Sequence, residues 1–361
     1  MSNRITKLRK ILKEKKLDGF VVFTVEDNNK NVRYLSGFGG SFGVLVLGGK
    51  KQVLLVDPRY TERAQKEAKG FTVIEVANAK GLYEYIERGL ELIHLGRNAR
   101  LGYEGRNVSV IGEKSLSKNL PQKLVPTEGV VEGLRQYKSE EEVAFIRHAC
   151  RATSEAFCEV VPNIKAGMKE SEISMLIDIA LRKYGATQNS FSTIAASGPN
   201  AAIPHHETSD RRVRAGETLV LDFGGIFKGG YASDLSRTLF IPGKKPDPEF
   251  VRIYNAVRGA QESAQKTLYN NPTFKEYDSA ARSYLEKAGY GKYFTHSIGH
   301  SLGLEAHDPF DYRGGIIKVG TVLTNEPGVY IPGRGGVRIE DDLVITKSGP
   351  KRLTTAPYLK F

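Results

Sequence analysis

The chain has 361 residues, of which 26% are charged and 40% hydrophobic, and its formal net charge is +12 at pH 7. This length predicts two domains, and the composition is that of a globular protein rather than a disordered or fibrous one. The basic residues 1–10 are not followed by an apolar stretch long enough for a signal peptide or a membrane span, so we expect a cytoplasmic protein without membrane contact.

The positive charge belongs mainly to the first part of the chain. Residues 1–138 hold 25 Lys and Arg against 15 Asp and Glu, whereas residues 139–361 hold 28 against 26. A basic face of this kind can bind nucleic acid. The basic residues are scattered without interleaved aromatic residues, so a solvated surface is favoured and nucleic acid is not expected as a partner.

The first part alternates short helices with apolar strands. A helical repeat of apolar residues begins at Ile5, and another helix is predicted near Asp57-Pro58, because proline suits a first turn and an acid suits its positive end. Strands are predicted at residues 19–23, 43–47 and 53–56. These signals predict an α/β domain over residues 1–128 without evident chemistry of its own.

The second domain is predicted to cover residues 129–361. Ser139 and Glu142 match a capping box that opens a long helix ending at Val161. Further helices are predicted at residues 170–184 and 248–268, and the remainder is expected to be mainly strands and turns.

The only two cysteines of the chain, Cys150 and Cys158, lie on the first of these helices. Eight helical residues rise by about 12 Å, which is too far for a disulfide. Both thiols are therefore expected to be reduced.

Two segments of the second domain, residues 216–234 and 320–340, resemble each other. In each, a glycine precedes an acid by six positions across β-prone residues, and a turn rich in Gly and Tyr leads to a second acid. Each copy is predicted to form a β-hairpin with one acid per strand. The four acids are Asp222, Asp234, Glu326 and Glu340.

Four carboxylates directed at one place would repel one another unless cations neutralised them. Two divalent ions would cancel the four charges, and paired metal ions are an established device for hydrolysis. His296, His300 and His307 lie between the two segments among glycines that permit close backbone approach, and His205 lies upstream. This pattern predicts a dinuclear metal hydrolase.

The order of the motifs resembles that of the metallopeptidases with the pita-bread fold, in particular the proline-directed branch that contains Xaa-Pro dipeptidase (prolidase) and aminopeptidase P. The resemblance covers nearly the whole chain and rests on the motifs Tyr34-Leu35-Ser36-Gly37, Asp57-Pro58-Arg59-Tyr60, Ser197-Gly198-Pro199-Asn200, Pro204-His205, Asp222-Phe223-Gly224, Ser233-Asp234, Gly299-His300, Asn325-Glu326-Pro327-Gly328 and Val337-Arg338-Ile339-Glu340-Asp341. It implies an α/β (α+β) fold, in which a creatinase-like N-terminal α/β domain precedes a pita-bread catalytic domain with duplicated hairpins.

The resemblance also implies the metal ligands, which are Asp222, Asp234, His300, Glu326 and Glu340. In the family, the positions of Asp234 and Glu340 bridge both ions, that of Asp222 serves one ion, and those of His300 and Glu326 serve the other. Four carboxylates and an imidazole suit Mn²⁺, Co²⁺, Zn²⁺ and Fe²⁺ alike. Manganese or cobalt is expected, with zinc or iron as alternatives.

The catalytic roles follow from the same resemblance. Glu326 matches the proton shuttle, and His205 and His307 match positions that steady the oxyanion. Substrate-binding or supporting positions are matched by His296, Tyr330 and Arg338. For Arg338, a salt-bridged support of the ligands and a direct contact with substrate both remain open.

The implied reaction is hydrolysis of an Xaa-Pro bond, in dipeptides or at the N-terminus of peptides, by a hydroxide held between two metal ions. The implied substrate has proline in its second position. The enzyme is expected to form a homo-oligomer, specifically a homodimer. Dipeptidase and aminopeptidase P activities are not separated by the sequence. The alternatives are a methionine aminopeptidase-like activity and a non-enzymatic binding module of the same fold.

One feature departs from the family pattern. The segment between Asp222 and Asp234 is one residue longer than is common. A bulge or a longer turn would absorb the extra residue, whereas a slip in register would turn one ligand to the wrong side.

Overall fold

The computed structural model describes residues 2–27, 29–77 and 80–359. The chain divides into two compact units, Met1–Arg135 and Gln136–Phe361. The sequence-based boundary at 128/129 falls slightly earlier and stays a prediction. None of the helices within the described residues combines the length and apolar content that crossing a membrane needs.

The first unit is built on one mixed sheet. Its strands are β1 (Gly19–Val25), β2 (Phe42–Gly48), β3 (Lys51–Val56), β4 (Thr72–Glu75), β5 (Arg100–Glu104) and β6 (Lys123–Thr127). Its helices are α1 (Ser2–Glu14), α2 (Lys30–Ser36), α3 (Thr61–Glu67), α4 (Leu82–Ile93), α5 (Val110–Asn119) and α6 (Glu132–Arg135). The strands lie in the order β4-β3-β2-β1-β5-β6, and β1 pairs antiparallel with β2 and parallel with β5.

The local predictions for this unit are confirmed. Each of the three predicted strands forms, and the apolar repeat from Ile5 lies in α1. A 3₁₀ turn at Pro58–Tyr60 precedes α3, and the Asp57 carboxylate accepts a hydrogen bond from the Arg59 N–H at 2.9 Å. The acid therefore caps the first turn, as its position before proline predicts.

The second unit contains four long helices and several short sheets. The helices are α7 (Glu140–Val160), α8 (Glu170–Lys183), α9 (Pro248–Thr267) and α10 (Phe274–Lys287). The strands are β7 (Gln188–Asn189), β8 (Ile194–Ser197), β9 (Thr218–Phe223), β10 (Gly225–Ile226), β11 (Leu235–Phe240), β12 (Val322–Asn325), β13 (Gly328–Ile331), β14 (Gly335–Arg338), β15 (Asp341–Thr346) and β16 (Gly349–Arg352).

Helix α7 begins as predicted. Ser139 and Glu142 form a complete capping box, in which each side chain accepts a hydrogen bond from the other's backbone N–H. Cys150 and Cys158 both lie on α7 as free thiols, the first buried and the second exposed, which confirms the prediction of two reduced cysteines.

The first duplicated segment forms the predicted hairpin. Strands β9 and β11 pair antiparallel with Asp222 opposite Ser236, and Asp234 directly precedes β11. The turn tip contains Gly229 and Gly230, both at φ +82°, a conformation that glycine adopts without steric cost. The longer connection therefore ends in a glycine turn at the tip, and the strands keep their pairing around the acids.

The second segment differs from the prediction of one acid on each strand. Strand β12 pairs with β15, and β13 pairs with β14, so one long hairpin is interrupted between its two halves. Glu326 and Glu340 lie in the interruption rather than on the strands. The physical reason is Pro327, which has no N–H to donate to a strand ladder.

The two segments meet along their edges. The Glu340 N–H donates to the Ser236 carbonyl at 3.0 Å, and the Arg338 N–H donates to Thr238 Oγ1 at 2.9 Å. Helices α7 and α8 share a core with β9 and β11, while α9 and α10 share a core with β12 to β15. Each segment thus packs against its own helix pair, and their junction brings the acids together.

Candidate metal centre

Closely packed backbone carries two of the predicted ligands, His300 and Glu326. His300 follows Gly299, where a Cβ would lie only 2.4 Å from Thr324 Oγ1, so a larger residue has no room. The His300 N–H donates to that oxygen at 2.9 Å, and the Thr324 hydroxyl donates to Glu326 Oε1 at 3.0 Å. A single threonine therefore orients both His300 and Glu326.

The structure brings all five predicted ligands into one neighbourhood. Ligand atoms of Asp234, His300 and Glu340 all lie within 4.8 Å of one another. His300 Nε2 lies 3.6 Å from Asp234 Oδ2 and 3.3 Å from Glu326 Oε1. Asp222 lies outside the closest trio but near enough for its charge to raise the pKa of Asp234 and of Glu340.

Burial and mutual repulsion dominate the electrostatics of these groups. Burial, followed by the charges of Asp222 and Asp342, raises the pKa of Asp234 well above its ordinary value. Burial and the charge of Asp234 do the same for the pKa of Glu340, and burial raises that of Glu326. Burial lowers the pKa of His300, which favours the neutral imidazole that can bind a metal.

Three of the carboxylates keep an oxygen without any hydrogen-bond partner. These buried atoms are Asp222 Oδ1, Asp234 Oδ1 and Glu340 Oε1. A buried polar atom without a partner is costly and uncommon, and a bound cation would remove that cost. Hard oxygen donors beside a neutral imidazole therefore fit divalent ions of the first transition series.

The other histidines lie beside these ligands. The ring of His307 stacks on that of His300 with centroids 3.8 Å apart. Burial, followed by the charges of His300 and His205, lowers the pKa of His307 to about 4. His307 is therefore neutral at pH 7 and keeps an N–H to donate. Burial lowers the pKa of His296, and the charge of His205 adds to this effect, so His205 lies within electrostatic reach of both rings.

Every described contact of the Arg338 guanidinium is with another group of the protein. Its guanidinium lies 2.5 Å from Asp222 Oδ2, donates to the Tyr330 hydroxyl at 2.8 Å and to the Pro204 carbonyl at 3.1 Å, and bonds Ser236 Oγ at 2.9 Å. Only 3% of its side chain is exposed. These contacts favour the supporting role over direct contact with substrate.

Tyr330 and His296 extend this network. Burial raises the pKa of Tyr330 to about 12, so its hydroxyl keeps its proton at neutral pH. Because that hydroxyl accepts from Arg338, its own proton is available to His296 Nε2 at 2.8 Å. His296 Nδ1 then carries the ring proton and donates to the Ser297 carbonyl at 2.7 Å.

Some supports of the site were missed from the sequence. Glu170, at the start of α8, has a fully buried side chain that accepts bonds from Ser197, Asn200, Ser209 and His206, and so anchors the loop that carries His205. Its position in the sequence gives no sign of this role, because its partners lie 27 to 39 residues away.

The ion pair of Lys138 and Asp308 was missed as well. Lys138 Nζ, just before α7, lies 3.0 Å from Asp308 Oδ2, and Asp308 is in the loop that also carries His307. Here the sequence held a signal, since Asp308 directly follows a predicted catalytic histidine.

Comparison with known proteins places the chain in a family. Residues 144–347 match the metallopeptidase family M24, which is more than half of the chain. The chain belongs to metallopeptidase family M24. Residues 4–137 match the creatinase/prolidase N-terminal domain. The expected fold class, a creatinase-like α/β domain followed by a metallopeptidase catalytic domain, is confirmed, and so is the expectation of a metal-dependent peptidase.

Similar proteins span the full length of this M24 chain. An Xaa-Pro dipeptidase of Pyrococcus furiosus is 34% identical over 361 residues, covering 98% of both chains. The structure of an Xaa-Pro dipeptidase from Bacillus anthracis matches with a TM-score of 0.89 and 32% identity, over 99% of this chain and 98% of that one. The structure of an X-Pro aminopeptidase from Thermotoga maritima matches with the same TM-score and identity, over 98% and 99%.

Proposed function

We propose that this M24 peptidase hydrolyses the bond between an N-terminal residue and a proline in the second position. Full-length similarity to proteins named for this specificity supports the proposal. An Xaa-Pro bond is a tertiary amide without a hydrogen to donate, so general peptidase clefts bind it poorly. A dipeptidase and an aminopeptidase match the chain equally well, so the preferred peptide length is left to experiment.

The observation that carries the proposal is the buried carboxylate cluster with unpartnered oxygens beside neutral imidazoles. Asp222, Asp234, His300, Glu326 and Glu340 would hold two divalent ions, manganese or cobalt in our proposal. Such a pair supplies a water of lowered pKa and polarises the substrate carbonyl.

The chain's own residues would carry the proton and the developing negative charge. Glu326, whose pKa burial raises, accepts the proton of the attacking water at its carboxylate and passes it to the leaving nitrogen of proline. His307 and His205 donate N–H groups to the oxyanion, a contribution of about 3–4 kcal/mol for one such donor. Arg338, through Tyr330, fixes His296 beside the substrate.

The remaining parts of the proposal concern the whole protein. We propose a cytoplasmic homodimer whose two domains span residues 1–128 and 129–361, without nucleic acid or membrane as a partner. Light scattering of the purified protein would give the mass of the particle in solution, and a monomer would overturn the dimer.

The function is tested with metal-stripped protein reconstituted with Mn²⁺, Co²⁺ or Zn²⁺. We expect hydrolysis of Ala-Pro, of Ala-Pro-Ala or of both, but not of the dipeptide Ala-Ala, and loss of activity with a chelator. An Ala-Pro-Ala tripeptide then separates dipeptidase from aminopeptidase activity. Equal cleavage of Ala-Ala contradicts the proline specificity, and cleavage of Met-Ala-Ala alone would favour the methionine aminopeptidase alternative.

Two matched variants complete the test. Asp234→Asn should abolish hydrolysis, whereas Asp210→Asn, at a side chain 72% exposed, should leave it unchanged. A protein that binds metal ions but cleaves none of these peptides would instead favour the non-enzymatic binding module.

A further inference from the structure

The chain after β16 forms a partly buried segment without helix or strand. We call residues 353–359 the C-terminal tail. Leu353, Thr354 and Ala356 are 2%, 1% and 0% exposed, respectively. The tail lies beyond the match to family M24, which ends at residue 347. Because buried irregular backbone needs polar partners, the contacts of the tail show what it is built to hold.

Two side chains of the tail bind the same carboxylate. Thr354 Oγ1 donates to Asp341 Oδ1 at 2.7 Å, and the Tyr358 hydroxyl donates to Asp341 Oδ2. Asp341 is 2% exposed and directly follows Glu340. Consecutive residues of an extended chain point to opposite sides, so Glu340 faces the metal centre while Asp341 faces the tail.

A buried guanidinium joins the tail to the backbone of Glu340. The side chain of Arg237, which follows Asp234 by three positions, is 1% exposed. It donates to Asp341 Oδ1 at 2.8 Å and to the carbonyl of Glu340. It also donates to the tail carbonyls of Ala356, at 2.9 Å, and Pro357, at 3.2 Å. Arg237 thus ties the backbone of Glu340 to the tail.

The ring of Tyr358 is held independently of its hydroxyl. The guanidinium of Arg258 lies 3.6 Å from the ring centroid, and those of Arg237 and Arg352 lie 4.8 and 5.0 Å away. Cation–π contacts of this kind survive the change of tyrosine to phenylalanine. That substitution therefore removes the hydrogen bond to Asp341 while leaving the tail anchored.

We propose that the C-terminal tail is a positioning element of the metal centre, which fixes the backbone of Glu340 through Asp341 and Arg237 and thereby sets the affinity for metal ions. The inference rests on the proposed role of Glu340 as a ligand. Outer partners that orient metal ligands typically contribute about 10–100-fold to metal affinity or activity.

The test measures metal affinity in the absence of substrate. Metal-free wild-type protein and the variants Thr354→Val and Tyr358→Phe are titrated with Mn²⁺ by calorimetry, and circular dichroism checks that each is folded. We expect each variant to raise the dissociation constant about tenfold, as for other outer-shell changes. The control is Thr355→Val, the same substitution at the neighbouring exposed residue, and it should leave the constant unchanged.

Unchanged manganese affinity in both tail variants would refute the inference, even if their melting temperatures fell, because the tail would then support stability alone. An equal loss in Thr355→Val would refute it too, since the effect would not depend on Asp341. A wild-type protein that binds manganese but cleaves no Xaa-Pro peptide would overturn the proposed function only. The dissociation constants would still decide the role of the tail.

Discussion

Lys138 and Asp308 form an ion pair that folding removes almost completely from water. The Nζ–Oδ2 distance is 3.0 Å, and the two side chains are 1% and 2% exposed. Lys138 Nζ also donates to Ser301 Oγ at 3.0 Å. Burying a charged group is costly, and the opposite charge beside it offsets much of that cost. Removing one of them should therefore cost far more than removing a surface charge.

Lys138→Met is the perturbation, because it keeps most of the aliphatic stem and deletes the ammonium. Asp308 Oδ1 then keeps the hydrogen bond from the Glu305 N–H at 3.3 Å, but the carboxylate loses its cationic partner. Breaking a buried pair in this way costs about 3–5 kcal/mol of unfolding free energy. The control is Lys183→Met, which breaks a 2.7 Å pair with Glu159 whose side chains are 62% and 37% exposed, and which should lower the unfolding free energy far less because water already screens the pair.

The assay is urea unfolding of the metal-free protein, followed by circular dichroism because the chain contains no tryptophan. The double variant Lys138→Met/Asp308→Leu should recover part of the loss, since it also removes the buried carboxylate with which Lys138 pairs. The reasoning is refuted if Lys138→Met costs no more than Lys183→Met, although the latter breaks the shorter ion pair.

Three further outcomes follow from the buried acids. Asp234→Asn should raise the melting temperature of the metal-free protein while abolishing Mn²⁺ binding in calorimetry, because burial and neighbouring carboxylates raise the pKa of Asp234; a lower melting temperature would contradict this. Burial raises the pKa of Asp342 from 3.8 to about 7, so this group contributes stability that is complete below pH 3.8 and lost as the pH rises through 7. Asp342→Asn should flatten the pH dependence of metal-free unfolding between pH 4 and 7, and an unaltered slope would exclude Asp342 as its source. For Glu170, burial raises the pKa, but hydrogen bonds from Ser209 and Ser197 outweigh it, so the pKa is lowered. Glu170→Gln should therefore lower the unfolding free energy at pH 7 by about 1.5–3 kcal/mol, and this difference from wild type should narrow below pH 4.5. A difference in unfolding free energy that stays constant with pH would contradict an ionised Glu170.

The elements that the sequence predicts well are those set by local chemistry. The capping box at Ser139, the proline turn at Asp57 and the apolar strands each follow from residues within one or two turns of one another. The interruption at Glu326 and Glu340 was missed, although Pro327 was visible. A proline marks where a ladder is broken, but only the partner strands determine which residues resume pairing.

The same distinction applies to the candidate site. Its acids and histidines could be proposed from residue type, spacing and family resemblance, because the chemistry restricts which side chains can serve. The residues that position these acids and histidines follow no spacing rule in the sequence. Arg237 reaches the tail carbonyls about 120 positions later, and Lys138 binds Ser301 at a separation of 163. Any buried polar group with suitable geometry could fill such a position, so these residues carry no local signature.

The charges of the site link metal binding to folding of the second unit. Arg338 pairs with Asp222. The other three acids, Asp234, Glu326 and Glu340, lie beside a neutral His300, and the pKa values of these three carboxyl groups are raised. Folding without metal ions must therefore bury carboxylates that either repel one another or take up protons. A cation that binds only the folded arrangement removes this cost and stabilises the fold in proportion to its affinity. The ligand set that would serve hydrolysis is thus also the part of this unit that depends most on its metal ions for stability.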